Sequence, residues 1–208
     1  TPYIYEGEEL GMTNAHFTSL DQYRDLEAIN AYRQRVEEAR CQSPESMMAA
    51  LALIGRDNSR TPMQWDASRY AGFTPADAAT EPWIGVNPNH VEINAAEEFD
   101  DPESVYGFYK KLIAMRHNSA TVATGEWDLV AADSEQVYAF TRTSGDDTIL
   151  VVVNLTDESA GLPGEVAELL GDGVAESQIL LSTYDVAHGV KSIARGELAR
   201  WEGVVIQL

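Results

Sequence analysis

The chain has 208 residues, 44% of them hydrophobic, enough to bury a real core in one large or two modest domains. Its formal charge of -20, from 34 acidic and 14 basic residues, disfavours nucleic acid and anionic membrane as partners, whose surfaces are dense arrays of phosphate. The lone Cys41 rules out an intrachain disulfide and fits a reducing compartment, no apolar run approaches the ~20 residues of a bilayer span, and no signal peptide opens the sequence, so a cytoplasmic location is expected.

In chain order, Tyr3-Ile4-Tyr5 reads as a short strand that gives way to an acidic loop at Glu6-Gly7-Glu8-Glu9. Residues 20 to 54 read mostly as helix. Leu26, Ile29, Tyr32 and Val36 recur at helical spacing, and Pro44 opens a second segment through Met47, Met48, Leu51 and Ile54, its methionines read as core filler. From Gly55 to Asn94 the periodicity breaks, with Pro62, Pro75, Pro82 and Pro88 preventing any long regular element. A loop of about 40 residues inside a compact domain is usually functional. Asp101 is expected to cap a helix with Pro102 in its first turn, running to about Asn118. Beyond about Thr121 come short alternating or β-branched runs at 126–130, 136–143, 148–154, 178–182 and 203–208, with a hairpin turn at Ser144-Gly145-Asp146-Asp147. The last 88 or so residues thus predict an antiparallel β domain after a helix-rich portion.

The densest chemistry is Arg56-Asp57-Asn58-Ser59-Arg60-Thr61-Pro62-Met63-Gln64-Trp65-Asp66. Guanidinium and carboxylate groups grip sugar hydroxyls by charge-assisted hydrogen bonds, and an indole face covers the apolar side of a pyranose. Glu6, Glu8 and Glu9 add carboxylates where a strand meets a loop; a carboxylate pair with separated pKa values is what glycoside hydrolysis needs, although acidic loops are common in so acidic a chain. His16, His90, His117 and His188 are scattered, and no metal-ligand spacing, nucleophile elbow or phosphate-cradling loop is present, so no metal and no cofactor is expected.

These stretches, taken with Pro2-Tyr3-Ile4-Tyr5-Glu6-Gly7-Glu8-Glu9-Leu10-Gly11-Met12-Thr13-Asn14, Tyr23-Arg24-Asp25, Ala71-Gly72-Phe73 and Pro82-Trp83-Ile84 through Val86-Asn87-Pro88-Asn89, carry a resemblance in order along the whole chain. Together they resemble the C-terminal third of the oligo-1,6-glucosidases and related alpha-glucosidases of glycoside hydrolase family thirteen, with Thr1 included in the first motif. The resemblance implies an α+β chain: the last strand (Tyr3 to Tyr5), long loop (6 to 100) and last helix (101 to 118) of a (β/α)8 barrel, then a C-terminal antiparallel β-sandwich domain, with boundaries at 1–119 and 120–208. In such barrels the chemistry sits on loops after the strand C-termini. By position in the motifs, Arg56 resembles the family's contact to the non-reducing glucose in subsite -1, and Glu27 the acidic residue lining subsite +1, while Asp57, Arg60 and Trp65 shape the loop.

The sequence departs from the family at Glu6, where Gln is usual. It also contains no segment resembling the family's aspartate nucleophile, glutamate acid/base or Asn-His-Asp motif; Asn89-His90-Val91 is not one. The expectation is therefore a C-terminal fragment of a retaining alpha-glucosidase that supplies subsite walls for an oligosaccharide but no catalytic residue, inactive alone. The alternative is a non-catalytic carbohydrate-binding or assembly module, such as a relative of the amino-acid-transporter heavy chains that share this fold. Barrel surface without partners predicts mobility, rearrangement or self-association over residues 1 to 100.

Overall fold

The computed structural model describes residues 2–208; Thr1, at the head of the first family-like motif, lies outside the described residues. The chain forms two compact units, one ending at Lys110 and the other running from Lys111 to Leu208.

In the first unit, helix α1 (Leu26–Tyr32) continues into a π-helical stretch at Arg33–Glu38, and α2 spans Pro44–Ile54. Both begin as the chemistry of helix starts requires. The Asp25 carboxylate accepts from Glu27 N ahead of α1, and the Ser43 hydroxyl accepts from Ser46 N ahead of α2, where Pro44 occupies the first turn without a wasted N–H. Ala15, Phe17, Tyr23, Ala28, Met47, Leu51 and Ile84 form the core between these helices and the loop, with Phe17 and Tyr23 edge to face at 5.2 Å. Met47 is thus core filler, as its spacing predicts.

The C-terminal carbonyls of α2 are met by side chains. Asn14 Nδ2 donates to Ala52 O and Leu53 O, at 3.0 and 2.9 Å, and Asn58 Nδ2 donates to Ala52 O at 3.0 Å. Gly55 then turns the chain out of the helix. A Cβ there would lie 2.5 Å from Leu51 O, so only glycine lets Arg56 follow so closely.

The long loop is irregular but ordered by buried amides. Asn87 Nδ2 donates to Thr13 O at 2.9 Å, Gln64 Nε2 donates to Ile93 O, and Asn94 Oδ1 accepts from Glu97 N at 3.0 Å to start the short helix α3 (Ala95–Glu98).

Two sequence expectations need correction here. Tyr3-Ile4-Tyr5 pairs with no strand among the described residues: Tyr5 N donates to Glu8 Oε2 at 2.8 Å and Tyr5 O accepts from Glu8 N at 3.0 Å, so a turn takes the backbone groups of Tyr5. Helix α4 begins at Val105 and not beside Asp101, because Asp101 Oδ1 accepts from Glu103 N in a separate turn while Ser104 Oγ accepts from Gly107 N at 3.0 Å as the true cap. Its end, at Asn118, is where the sequence predicts.

The second unit contains α5 (Ala120–Thr124), β1 (Glu126–Val130), β2 (Val137–Ser144), β3 (Asp147–Asn154), β4 (Ala160–Gly161), α6 (Gly164–Leu170), β5 (Ile179–Ser182), α7 (Val186–Arg195), β6 (Glu197–Leu198) and β7 (Gly203–Gln207). Five strands make one antiparallel sheet in the order β1-β2-β3-β7-β5, and β4 pairs with β6 in a small ribbon. The β2–β3 hairpin closes on the Ser144↔Asp147 pair, where Gly145 at φ +62° supplies the left-handed turn residue. Val137, Ala139, Leu150, Val152, Val204 and Ile206 line one sheet face and pack on Val166 and Leu170 of α6, Ile193 of α7, and Ala160 and Leu198 of the ribbon.

The strands fall where the alternating runs place them, but the second layer is more helical than those runs suggest. Val186, Val190 and Ile193 of α7 meet the core at i, i+4, i+7, a helical stripe interrupted by Gly189 and Ser192. Glu202, fully buried in this layer, accepts from Ser192 Oγ at 2.9 Å and from Ala199 N at 2.6 Å, with His188 Nε2 at 3.7 Å. Among the described residues no helix is long and apolar enough to cross a membrane.

Candidate functional site

Two segments 31 to 33 residues apart in sequence meet at the start of α1. Asp57, fully buried, accepts from the backbone N–H groups of Arg24 and Asp25 through one oxygen, at 2.6 and 2.8 Å, and through the other from Arg60 Nη1 at 3.3 Å. Two amides and a guanidinium on one carboxylate fix the backbone of Tyr23-Arg24-Asp25 against the loop.

Asp25 itself is 8% exposed, and its carboxylate forms a bidentate pair with Arg56: Nε donates to Oδ2 at 3.0 Å and Nη2 to Oδ1 at 2.8 Å. The same Nη2 lies 2.8 Å from Glu27 Oε2, and Arg60 Nη1 stands 3.9 Å from Asp25 Oδ1. Hydrogen bonding from Arg56, reinforced by Glu27 N and the two guanidinium charges, holds the Asp25 carboxyl below the ordinary carboxylate range. Asp25 raises the Arg56 pKa in return.

The sequence-predicted pair, Arg56 and Glu27, is therefore brought together, one turn of helix placing Glu27 beside the arginine. Arg56 is 56% and Glu27 77% exposed, so both present charge to solvent while Asp25 and Asp57 are withdrawn. Three concavities surround them. One of about 410 Å³ is lined by Tyr5, Glu6, Met12, Asn14, Ile54 and Arg56; one of about 260 Å³ runs along Asp25, Glu27, Arg35, Met47, Leu51 and Arg56. The third, about 240 Å³, is walled by Arg60, Met63, Phe73, Pro82, Trp83 and Ile84. Trp83 is held by Arg24, whose Nε donates to Trp83 O at 2.8 Å, and its indole is largely exposed.

The acidic cluster resolves differently. Glu8 and Glu9 are turn formers: Glu8 Oε2 accepts from Tyr5 N and Glu9 Oε2 from Gly7 N, at 2.8 and 2.9 Å. Glu6 and Glu8 both line the largest of the three concavities, and Glu6 also borders the one walled by Trp83. Among the described residues no group of three or more His, Cys, Asp or Glu could hold a metal ion. Asp57, which the resemblance assigns to shaping the loop, sits buried at a contact 33 residues away in sequence; Asp25, which the motifs contain but give no role, has as its signal a place directly before a helix, where an aspartate caps.

An arginine clamped by two carboxylates in a unit of helices and a long loop, followed by an antiparallel β unit, is consistent with the end of a (β/α)8 barrel and its C-terminal β domain. Residues 1–125 match the alpha amylase catalytic domain, and residues 128–176 the maltogenic amylase C-terminal domain. The chain belongs to the alpha-amylase family. It is 41% identical over 210 residues to an oligo-1,6-glucosidase of Bacillus cereus and 42% identical over 212 residues to that of Parageobacillus thermoglucosidasius, covering all of this chain and 35% of each relative. The trehalulose synthase MutB of Pseudomonas mesoacidophila MX-45 superposes with a TM-score of 0.82 at 37% identity, over all of this chain and 35% of that one. The chain thus spans about a third of the length of the relatives it matches.

Proposed function

We propose that this chain is the C-terminal part of a retaining alpha-glucosidase acting on α-1,6- or related glucosidic bonds of short oligosaccharides, with residues 1–119 closing the catalytic barrel and 120–208 forming the β domain. Arg56 contacts the non-reducing sugar and Glu27 lines the neighbouring subsite; the catalytic carboxylates lie on other parts of the enzyme. The observation that carries the reading is the state of Arg56. Its Nε and Nη2 are spent on Asp25 and Glu27, while Nη1, among the described residues, meets no protein acceptor and leaves two N–H donors for hydroxyl groups.

Two further facts support it. A MutB variant was solved with its substrate sucrose, a glucoside, on a chain that superposes with a TM-score of 0.82. Tyr3, Ile4, Leu53, Ile54 and Trp83 are exposed apolar side chains, the surface expected of a barrel wall that other elements or a second copy cover. A cytoplasmic setting belongs to the same proposal.

Arg56→Ala in the full-length enzyme tests it. Loss of a charge-assisted donor to the reacting sugar is expected to lower kcat/KM on isomaltose about a hundredfold or more. Unchanged kinetics removes Arg56 from the site, and hydrolysis of p-nitrophenyl α-glucoside by the 208-residue chain alone at the rate of an intact enzyme overturns the placement of the catalytic groups. A non-catalytic binding module would instead bind oligosaccharide in the full-length protein without turning it over.

A further inference from the structure

We propose that Asp25 is the positioning residue of the sugar site: it clamps the Nε–Nη2 edge of Arg56 so that Nη1 is the edge presented to substrate. The inference rests on the reading of Arg56 given above and goes one residue deeper.

The geometry is specific to a carboxylate. A guanidinium has two edges that can take a bidentate partner, Nε with Nη2 and Nη2 with Nη1. Asp25 takes the first with contacts of 3.0 and 2.8 Å, and Glu27 takes the remaining Nη2 proton, so rotation about the arginine stem would break three charge-assisted contacts together. Glu27 cannot serve as the clamp: it touches one nitrogen and is mostly exposed, whereas Asp25 is nearly buried.

Asp25 is in turn held by contacts independent of Arg56. Its backbone N–H is held by Asp57 at 2.8 Å, and its Oδ1 caps α1 through Glu27 N at 3.3 Å. Arg60 sits between the two aspartates, 3.3 Å from Asp57 and 3.9 Å from Asp25, so neither negative charge is buried alone. The order of constraint runs from the buried Asp57, through the backbone, to Asp25, and only then to the exposed arginine. Arg56 acquires a fixed direction although more than half of it lies in solvent.

The experiment is a double-mutant cycle on kcat/KM in the full-length enzyme with isomaltose: Asp25→Asn, Arg56→Ala and the pair together. Asparagine still caps a helix, so α1 keeps its start, but its amide nitrogen opposes an arginine N–H and the bidentate pair is lost. We expect Asp25→Asn to lower kcat/KM roughly a hundredfold, the effect of misplacing a binding group by about 1 Å, and the double variant to match Arg56→Ala, because the clamp has nothing left to hold. A merely structural Asp25 would make the double variant worse than Arg56→Ala, which overturns the inference. So does a full Arg56→Ala loss beside a wild-type Asp25→Asn. Unchanged kinetics in Arg56→Ala overturns the sugar site itself, and this inference with it. If Asp25→Asn does not fold, the unsubstituted enzyme still decides: the Arg56 Nε–H should exchange slowly with solvent by NMR at neutral pH, and exchange at the rate of a free guanidinium overturns the clamp.

Discussion

In residues 137–207, Leu150, Val152, Val204 and Ile206 bury apolar surface against a sheet whose ladders already satisfy the backbone; in the loop of residues 55–94 the backbone is largely irregular, and Asp57, Gln64, Asn87 and Asn94 bind backbone groups from buried side chains. The first arrangement needs apolar volume in the right amount. The second needs particular atoms at particular points, since an amide or carboxylate oxygen moved by one position leaves a donor without a partner. Loop-built sites are therefore held by polar side chains whose replacement by a residue of the same size still fails, whereas sheet-built cores accept such replacements. The division is not absolute, because Asn154 and Glu202 are buried polar groups in the second unit. Both lie at strand ends or turns, where the ladder runs out.

Size-conserving substitutions sharpen the contrast. Asp57→Asn keeps the volume but gives up the charge and one acceptor, and should cost about 3 kcal/mol, read as lost hydrogen-exchange protection within residues 14–60. A cost near zero would break the comparison at its strongest point. Leu150→Met, at an equally buried position, should cost less than about 1.5 kcal/mol in the same measurement on β2 and β3. A larger loss would show that the sheet core is as particular about shape as the loop.

Acid gives the smallest and most selective effect. The folded pKa of Asp25 lies below its unfolded value of about 4, so its ion pairs stabilise the fold above that pH and the contribution is lost as pH falls through the folded value. Glu98 works in the opposite sense. Burial raises its pKa, against the lowering effect of its bond from Tyr106 N, so protonation as pH drops toward the ordinary carboxylate range relieves a strain on the first unit. Thermal melts of wild type and Asp25→Asn between pH 6 and 2 should therefore differ above about pH 4 and converge below it; parallel curves would remove Asp25 from the acid response.

The two units also differ in how much of them could be read in advance. Strands β1, β2, β3, β5 and β7 were legible because alternation is a local property, and the hairpin because Gly145 sits between two such runs. Helix α7 carries its stripe at Val186, Val190 and Ile193 within only ten residues, with the small Gly189 and Ser192 fitting against Val204, Ser182 and Glu202. In the first unit the helices were legible and the loop was not. Arg56 and Glu27 stand out through their motifs, whereas Asp25 shows only as part of Tyr23-Arg24-Asp25, since only the fold brings residue 25 to residue 56. β-branched and aromatic content favours a strand at Tyr3 to Tyr5, but it describes what a strand tolerates and not whether a neighbour is there to pair with it.

The side-chain amides of Asn14 and Asn58 make the end of α2 sensitive to deamidation. Each is chosen for a nitrogen that donates to the helix's last carbonyls. Slow hydrolysis of either amide during storage or heating would exchange that donor for a carboxylate facing the negative end of the helix. The turn from α2 through Gly55 would then lose the donors that hold it, and with them the path that brings Arg56 to Asp25.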